Sequence, residues 1–166
     1  CETQGRARLA ERRVAAALAD RVLFSNSGGE AVGTAIKRER KLQSGQGDAE
    51  RFRVIACEGA IHGRTLAMIA AGGQEKHLAG FGPVVDGFDQ VAFDNLNEMR
   101  AAVGPETAAL LIEPVQGAGG IRALSKDYLK GARAPADAFV VLLILDEVQT
   151  GIGRARHLFA HACAAP

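Results

Sequence analysis

Apolar and polar positions fall into blocks along the chain. Residues 6–19 (RARLAERRVAAALA) set Leu9, Val14 and Leu18 among alanines at helical spacing, which predicts an amphipathic helix. A short apolar run, Val22-Leu23-Phe24, halts at Ser25-Asn26-Ser27-Gly28-Gly29 and reads as a first strand. The stretch EAVGTAIKRERKLQ predicts a helix, and SGQGDAE a polar turn. Val54–Cys57 reads as a second strand, followed by a loop with His62-Gly63-Arg64 and a short helix over Leu66–Ala71. Residues 72–87, with five glycines and Pro83, read as loop. Val91–Phe93 is a weak strand, and Asp94 or Asn95 can cap the helix LNEMRAAV, which stops at Gly104-Pro105. Ala108 to Glu113 is an apolar strand ending on an acid. A helix over Lys126–Arg133 comes next, and the six apolar residues Val140 to Leu145 read as the most buried strand of all.

Strands separated by helices predict an α/β fold with a mostly parallel sheet and helices on both faces. No internal repeat interrupts the series. In such sheets the ligand crevice lies beyond the carboxyl ends of the strands. Those ends are chemically loaded here. They carry Ser25 to Gly29, then Ile61-His62-Gly63-Arg64, then Glu113 and Gln116, and finally Asp146, Glu147 and Gln149.

Composition narrows the class without selecting a chemistry. The 166 residues suit one domain, or one domain with an arm: an N-terminal helix over 1–21 and an α/β body over 22–166. Apolar residues make up 48 % and charged residues 23 %, the balance of a soluble globular protein. A net charge of +1 attracts no acidic partner, and the arginines at 6, 8, 12 and 13 read as a solvated helix face rather than a nucleic-acid patch. The three cysteines, Cys1, Cys57 and Cys163, are odd in number and far apart, which suits free thiols in a reducing compartment and a cytoplasmic location. No apolar run approaches the roughly 18 residues of a membrane span, and no secretory segment opens the chain. A start at Cys1 and a stop at Pro166 read as a piece of a longer protein.

Each candidate site carries two readings. Ser27-Gly28-Gly29-Glu30, at a turn into a helix, can bind a phosphate through helix-start N–H groups, or Ser27 and Glu30 can simply form a capping box. Neither nucleotide fingerprint is present: no phosphate-loop motif occurs, and Gly151-Ile152-Gly153 meets Arg156 where a third glycine belongs. His157 and His161 have zinc-like spacing, but Leu158 stands where a catalytic glutamate would, so they read as surface histidines. An ionised carboxylate costs several kcal/mol to take out of water, roughly, so Asp146 at a strand tip needs an explanation. One explanation is the protonated ring nitrogen of a pyridine cofactor; the other is a helix cap or a structural salt bridge.

"FSNSGGEAVGTAIK", "IHGRTLAMIAAGGQEKHLAGFGPVVDGFDQVAFDNLNEMRAAVGPETAALLIEPVQGAGGIR" and "LLILDEVQTGIGR" together resemble the class III aminotransferases dependent on pyridoxal 5′-phosphate (PLP), in the acetylornithine and succinyldiaminopimelate branch. The resemblance runs from about Leu9 to His161. It implies that Ser27, Gly28 and Gly29 hold the cofactor phosphate. It also implies that Ile61 and His62 line the pyridine ring, that Arg64 binds the substrate carboxylate, and that Glu113 and Gln116 border the site. Asp146 would pair with the pyridinium, and Gln149 would lie near the ring hydroxyl. The implied activity moves an amino group from N-acetylornithine, or a related ω-amino donor, to 2-oxoglutarate in arginine or lysine biosynthesis, with a homodimer as the complete enzyme.

The chain departs from that pattern at several places. Ile61 stands where the family has an aromatic ring, Ala118 where it usually has a second glutamate, and Gly29 where another small residue is usual; Arg156 replaces a glycine. None of the five lysines, Lys37, Lys41, Lys76, Lys126 and Lys130, matches the aldimine lysine. The expectation is therefore a partial large domain, ending before that lysine and the small domain, and inactive in transamination by itself. Two other classes stay open: a non-catalytic module that binds PLP or phosphate, and an unstable truncated product.

Overall fold

The computed structural model describes residues 3–17 and 19–164, the last two by their backbone alone. Cys1, Leu18 and the Cys163 thiol, which entered the expectations above, lie outside the described residues. Helix α1 spans Gln4–Ala16 and buries none of its side chains. Val22–Phe24 forms no strand, contrary to expectation. Three apolar residues between Arg21 and Ser25 are too short a run to hold a ladder, and Leu23 is 64 % exposed. Phe24 instead packs under the Arg6 guanidinium, 5.2 Å from its ring centre.

Helix α2, Gly28–Gln46, starts two residues earlier than the sequence suggests, because Ser27 caps it. The Ser27 hydroxyl accepts the Glu30 N–H at 3.3 Å, and the Glu30 carboxylate reaches back to the Asn26 N–H at 2.6 Å. Strand β1 (Arg53–Cys57) leads through the 58–65 loop to α3 (Leu66–Gly72). The stretch expected as loop holds one helical turn, α4 (Glu75–Leu78), before β2 (Phe88–Val91). Asn95 caps α5 (Leu96–Ala102), its side-chain oxygen accepting the Glu98 N–H at 3.1 Å. Strand β3 (Thr107–Ile112) is followed by an unanticipated antiparallel pair, β4 (Val115–Gln116) and β5 (Arg122–Ala123). Helix α6 (Lys126–Ala138) runs five residues past the expected end and through Pro135, and β6 covers Leu142–Leu145. A 3₁₀ turn at Ala160–Ala164 follows.

The four longer strands form a parallel sheet in the order β2-β1-β3-β6. Alternation along each strand sends successive side chains to opposite faces. On one face Ile55, Cys57, Leu110 and Ile112 meet Met99 of α5 and Tyr128, Ala132 and Ala136 of α6. On the other, Val54, Ala109 and Leu111 meet Val32 and Ile36 of α2 and Met68 and Ala71 of α3. Covered on both sides, a strand can be apolar throughout, and each large side chain so buried contributes about 1.5–3 kcal/mol. Strand β3 is that strand: all six residues are buried. The expectation that Val140–Leu145 is the most buried strand is overturned. Val140, at φ 54°, belongs to the turn before β6 and is 75 % exposed, and among the described residues β6 itself borders only β3.

Candidate functional site

Parallel register brings the strand ends together. Ile112 pairs with Leu145, so the next residues, Glu113 and Asp146, emerge side by side at the same edge of the sheet. The loop after β1 carries His62 to the same place. Its Nδ1 lies 2.8 Å from Asp146 Oδ2, with the imidazole fully buried and the carboxylate 4 % exposed. The second Asp146 oxygen accepts the Val148 N–H at 3.1 Å, while the Asp146 N–H donates to Ile112 O at 2.8 Å. His62 Nε2 is buried and has no hydrogen-bond partner among the described residues. A buried polar atom without a partner costs free energy, and it marks where a further polar group belongs.

Glu113 closes the other side. Its Oε2 accepts the Ile61 N–H at 2.9 Å, which fixes the loop that presents His62. Burial pushes the Glu113 carboxyl above its ordinary value, and nearby Asp146 adds to this, while the Ile61 N–H and His62 oppose it.

The start of α2 forms the third wall. The Gly28 and Gly29 N–H groups have no partner among the described residues and stand at the positive end of a 19-residue helix. Gly63 takes φ 132°, and a Cβ there would stand 2.7 Å from Gly29 Cα, so loop and helix start touch backbone to backbone. Gly28, Gly29, Ile61, His62, Gly63, Glu113, Asp146, Val148 and Gln149 together line a cavity of about 150 Å³.

Most of the residues singled out in the sequence meet here: Gly28, Gly29, Ile61, His62, Glu113, Asp146 and Gln149. Ser27 does not line the cavity; its hydroxyl caps α2. Arg64 is exposed and stands outside the lining, in the electrostatic reach of His77. Gln116 turns to Glu58 O (2.9 Å) and to Arg122 (2.7 Å), away from the cavity. Sequence reasoning missed Gly63 and Val148. A glycine directly after His62 was the available signal for the first, and nothing in the apolar pattern marks the second.

The two histidines near the chain end are corrected in part. His157 is exposed, but His161 is partly buried, its Nδ1 2.7 Å from Glu147 Oε1. Among the described residues no group of His, Cys, Asp and Glu could hold a metal, and no helix is long and apolar enough to cross a membrane.

Comparison with known proteins adds three findings. The family model described as aminotransferase class-III matches residues 2–165. The acetylornithine aminotransferase of Mesorhizobium japonicum is 58 % identical over 160 residues, and that of Agrobacterium fabrum 54 %; each match covers 96 % of this chain. The chain spans 40 % of the length of both relatives. Among solved structures, the ornithine aminotransferase of Toxoplasma gondii superposes with a TM-score of 0.92 at 31 % identity, over all of this chain and 40 % of that one. A Bacillus anthracis aminotransferase gives 0.94 at 26 % identity, over 99 % of this chain and 42 % of that one.

Proposed function

The chain belongs to the class III aminotransferase family, and from that premise we propose that it forms the PLP-receiving part of an acetylornithine-type aminotransferase. The observation that carries this reading is the buried His62–Asp146 pair, opening into one cavity with Gly28 and Gly29, whose N–H groups have no partner among the described residues. The residues fit the group. Asp146 uses each oxygen once within the protein and keeps lone pairs for a further donor, so it would hold the protonated ring nitrogen. Gly28 and Gly29 would take the phosphate at the helix start, with Ser27 fixing that start. Ile61 would offer its apolar side chain to the ring face, Gln149 would lie by the ring hydroxyl, and Arg64 would reach for the substrate carboxylate. When bound, the cofactor supplies an electron sink for a carbanion at the carbon bearing the amino group.

What the protein's own residues would contribute is a carboxylate held in a set direction. His62 orients the Asp146 carboxylate, and Glu113 holds the loop that presents His62. Relatives 54–58 % identical named acetylornithine aminotransferase support N-acetylornithine as amino donor; the proposed acceptor is 2-oxoglutarate, in arginine or lysine biosynthesis. The complete protein would work in the cytoplasm as a homodimer. A chimera tests the reading: this chain replaces the matching 160 residues of the Mesorhizobium relative. The expected result is transamination of N-acetylornithine that Asp146→Ala abolishes. A chimera that melts cooperatively yet neither binds PLP nor transaminates would contradict it.

A further inference from the structure

Asp146 and Glu147 are consecutive, and only the first faces the cavity. Glu147 is 8 % exposed in its side chain and makes four contacts elsewhere. It accepts the N–H groups of Ala160 (2.5 Å) and His161 (2.9 Å), the hydroxyl of Thr150 (3.1 Å), and a contact from His161 Nδ1 at 2.7 Å. Each joins Glu147 to a residue 3 to 14 positions further along. Between them lies the turn that brings Val148 onto Asp146 Oδ1 and Gln149 to the cavity wall. Thr150 is itself buried, and its hydroxyl points back to the same carboxylate. Gly151 seals the arrangement, since its N–H donates to Glu147 O at 2.9 Å and a Cβ there would meet that oxygen at 2.9 Å.

We infer that Glu147 is a positioning residue: by buckling the chain from 147 to 161 it sets the Val148 N–H against Asp146, and so fixes the direction in which the Asp146 carboxylate points. Geometry carries the inference. One carboxylate with four donors is held far more firmly than a loop residue with one, because hydrogen bonds to an ionised acceptor are roughly twice as strong as neutral ones. Val148, hinged on that carboxylate, supplies the only backbone donor to Asp146 Oδ1 among the described residues. The inference rests on the proposed cofactor reading for its consequence, though not for the contacts.

The test uses the 166-residue chain and pyridoxine 5′-phosphate, which has the ring nitrogen and phosphate of PLP but no aldehyde to react with surface lysines. Two quantities are read in the wild type, Glu147→Gln and the milder Thr150→Val: the pH at which the bound ring's absorbance titrates, and hydrogen exchange at the Val148 amide without ligand. The expected result for Glu147→Gln is a titration midpoint moved toward that of the free ligand, affinity lowered about tenfold, and faster Val148 exchange, with β3 amides unchanged. Thr150→Val is expected to move both readings the same way by less, which keeps the test decisive should Glu147→Gln fail to fold. An unchanged midpoint with unchanged Val148 exchange would overturn the inference and leave Glu147 a local cap. Failure of the wild type to bind pyridoxine 5′-phosphate would instead overturn the cofactor reading, and Val148 exchange alone would then decide whether Glu147 holds the turn.

Discussion

Each oxygen of the buried Asp146 carboxylate meets one partner, His62 Nδ1 or the Val148 N–H, and the residues around it can be tested one at a time. Glu113 gives a pH signature. Its folded-state value lies above the ordinary 4.5, so the folded chain holds that proton more tightly than the unfolded chain does. The contribution of Glu113 to stability is therefore fullest below about pH 4.5 and is lost as the pH rises through the raised value. Glu113→Gln should remove that fall, which urea melts across the acidic range would record. Two glycines should respond oppositely. Gly63→Ala places a Cβ at φ 132° and 2.7 Å from Gly29 Cα, and should cost about 1–3 kcal/mol. Gly29→Ala meets only ordinary contact, 3.5 Å from Gly63 Cα, and should stabilise α2 by about 0.5 kcal/mol. Thermal melts of the two variants check the contrast.

At the scale of elements, the difference between β3 and β6 shows what an apolar run can and cannot reveal. Both read as continuous apolar segments, but only β3 has a strand on each side and helices on both faces. Leu110→Ala, at a fully buried position, should cost about 2–5 kcal/mol, whereas Leu142→Ala, at 43 % exposure, should cost less than about 1 kcal/mol; urea melts separate them. Burial of this kind depends on neighbours distant in sequence, which periodicity does not encode. Local signals were more legible. Asn95 before α5 and Ser27 before α2 mark helix starts because capping is a contact within three residues. Val22–Phe24 misled because β propensity without a partner makes no strand. The extension of α6 through Pro135 was hidden for a similar reason: Tyr128, Ala132 and Ala136 are packed on the sheet, and that packing outweighs the lost N–H. The site was legible where residue type and strand end coincide, at His62, Glu113 and Asp146. Val148 and the Gly63–Gly29 contact were not, since both arise from the packing of loop against helix.

For the whole molecule, the sheet acts as a frame that gathers separate segments at one edge: the start of α2, the loop after β1, and the ends of β3 and β6. The cavity they enclose, about 150 Å³, is smaller than the roughly 300–1,000 Å³ of complete ligand pockets. The chain spans 40 % of the length of the two relatives, and on the proposed reading this edge would carry the carboxylate and the phosphate contacts. The measurement that bears most directly on this is calorimetric titration of the chain with pyridoxine 5′-phosphate, in the wild type and in Asp146→Asn. Saturable binding, weakened about tenfold or more by the loss of the carboxylate charge while the thermal melt stays cooperative, is the predicted result. Equal affinity in the two proteins, or no saturable binding by a folded wild type, would contradict a site built around Asp146 for a protonated pyridine ring.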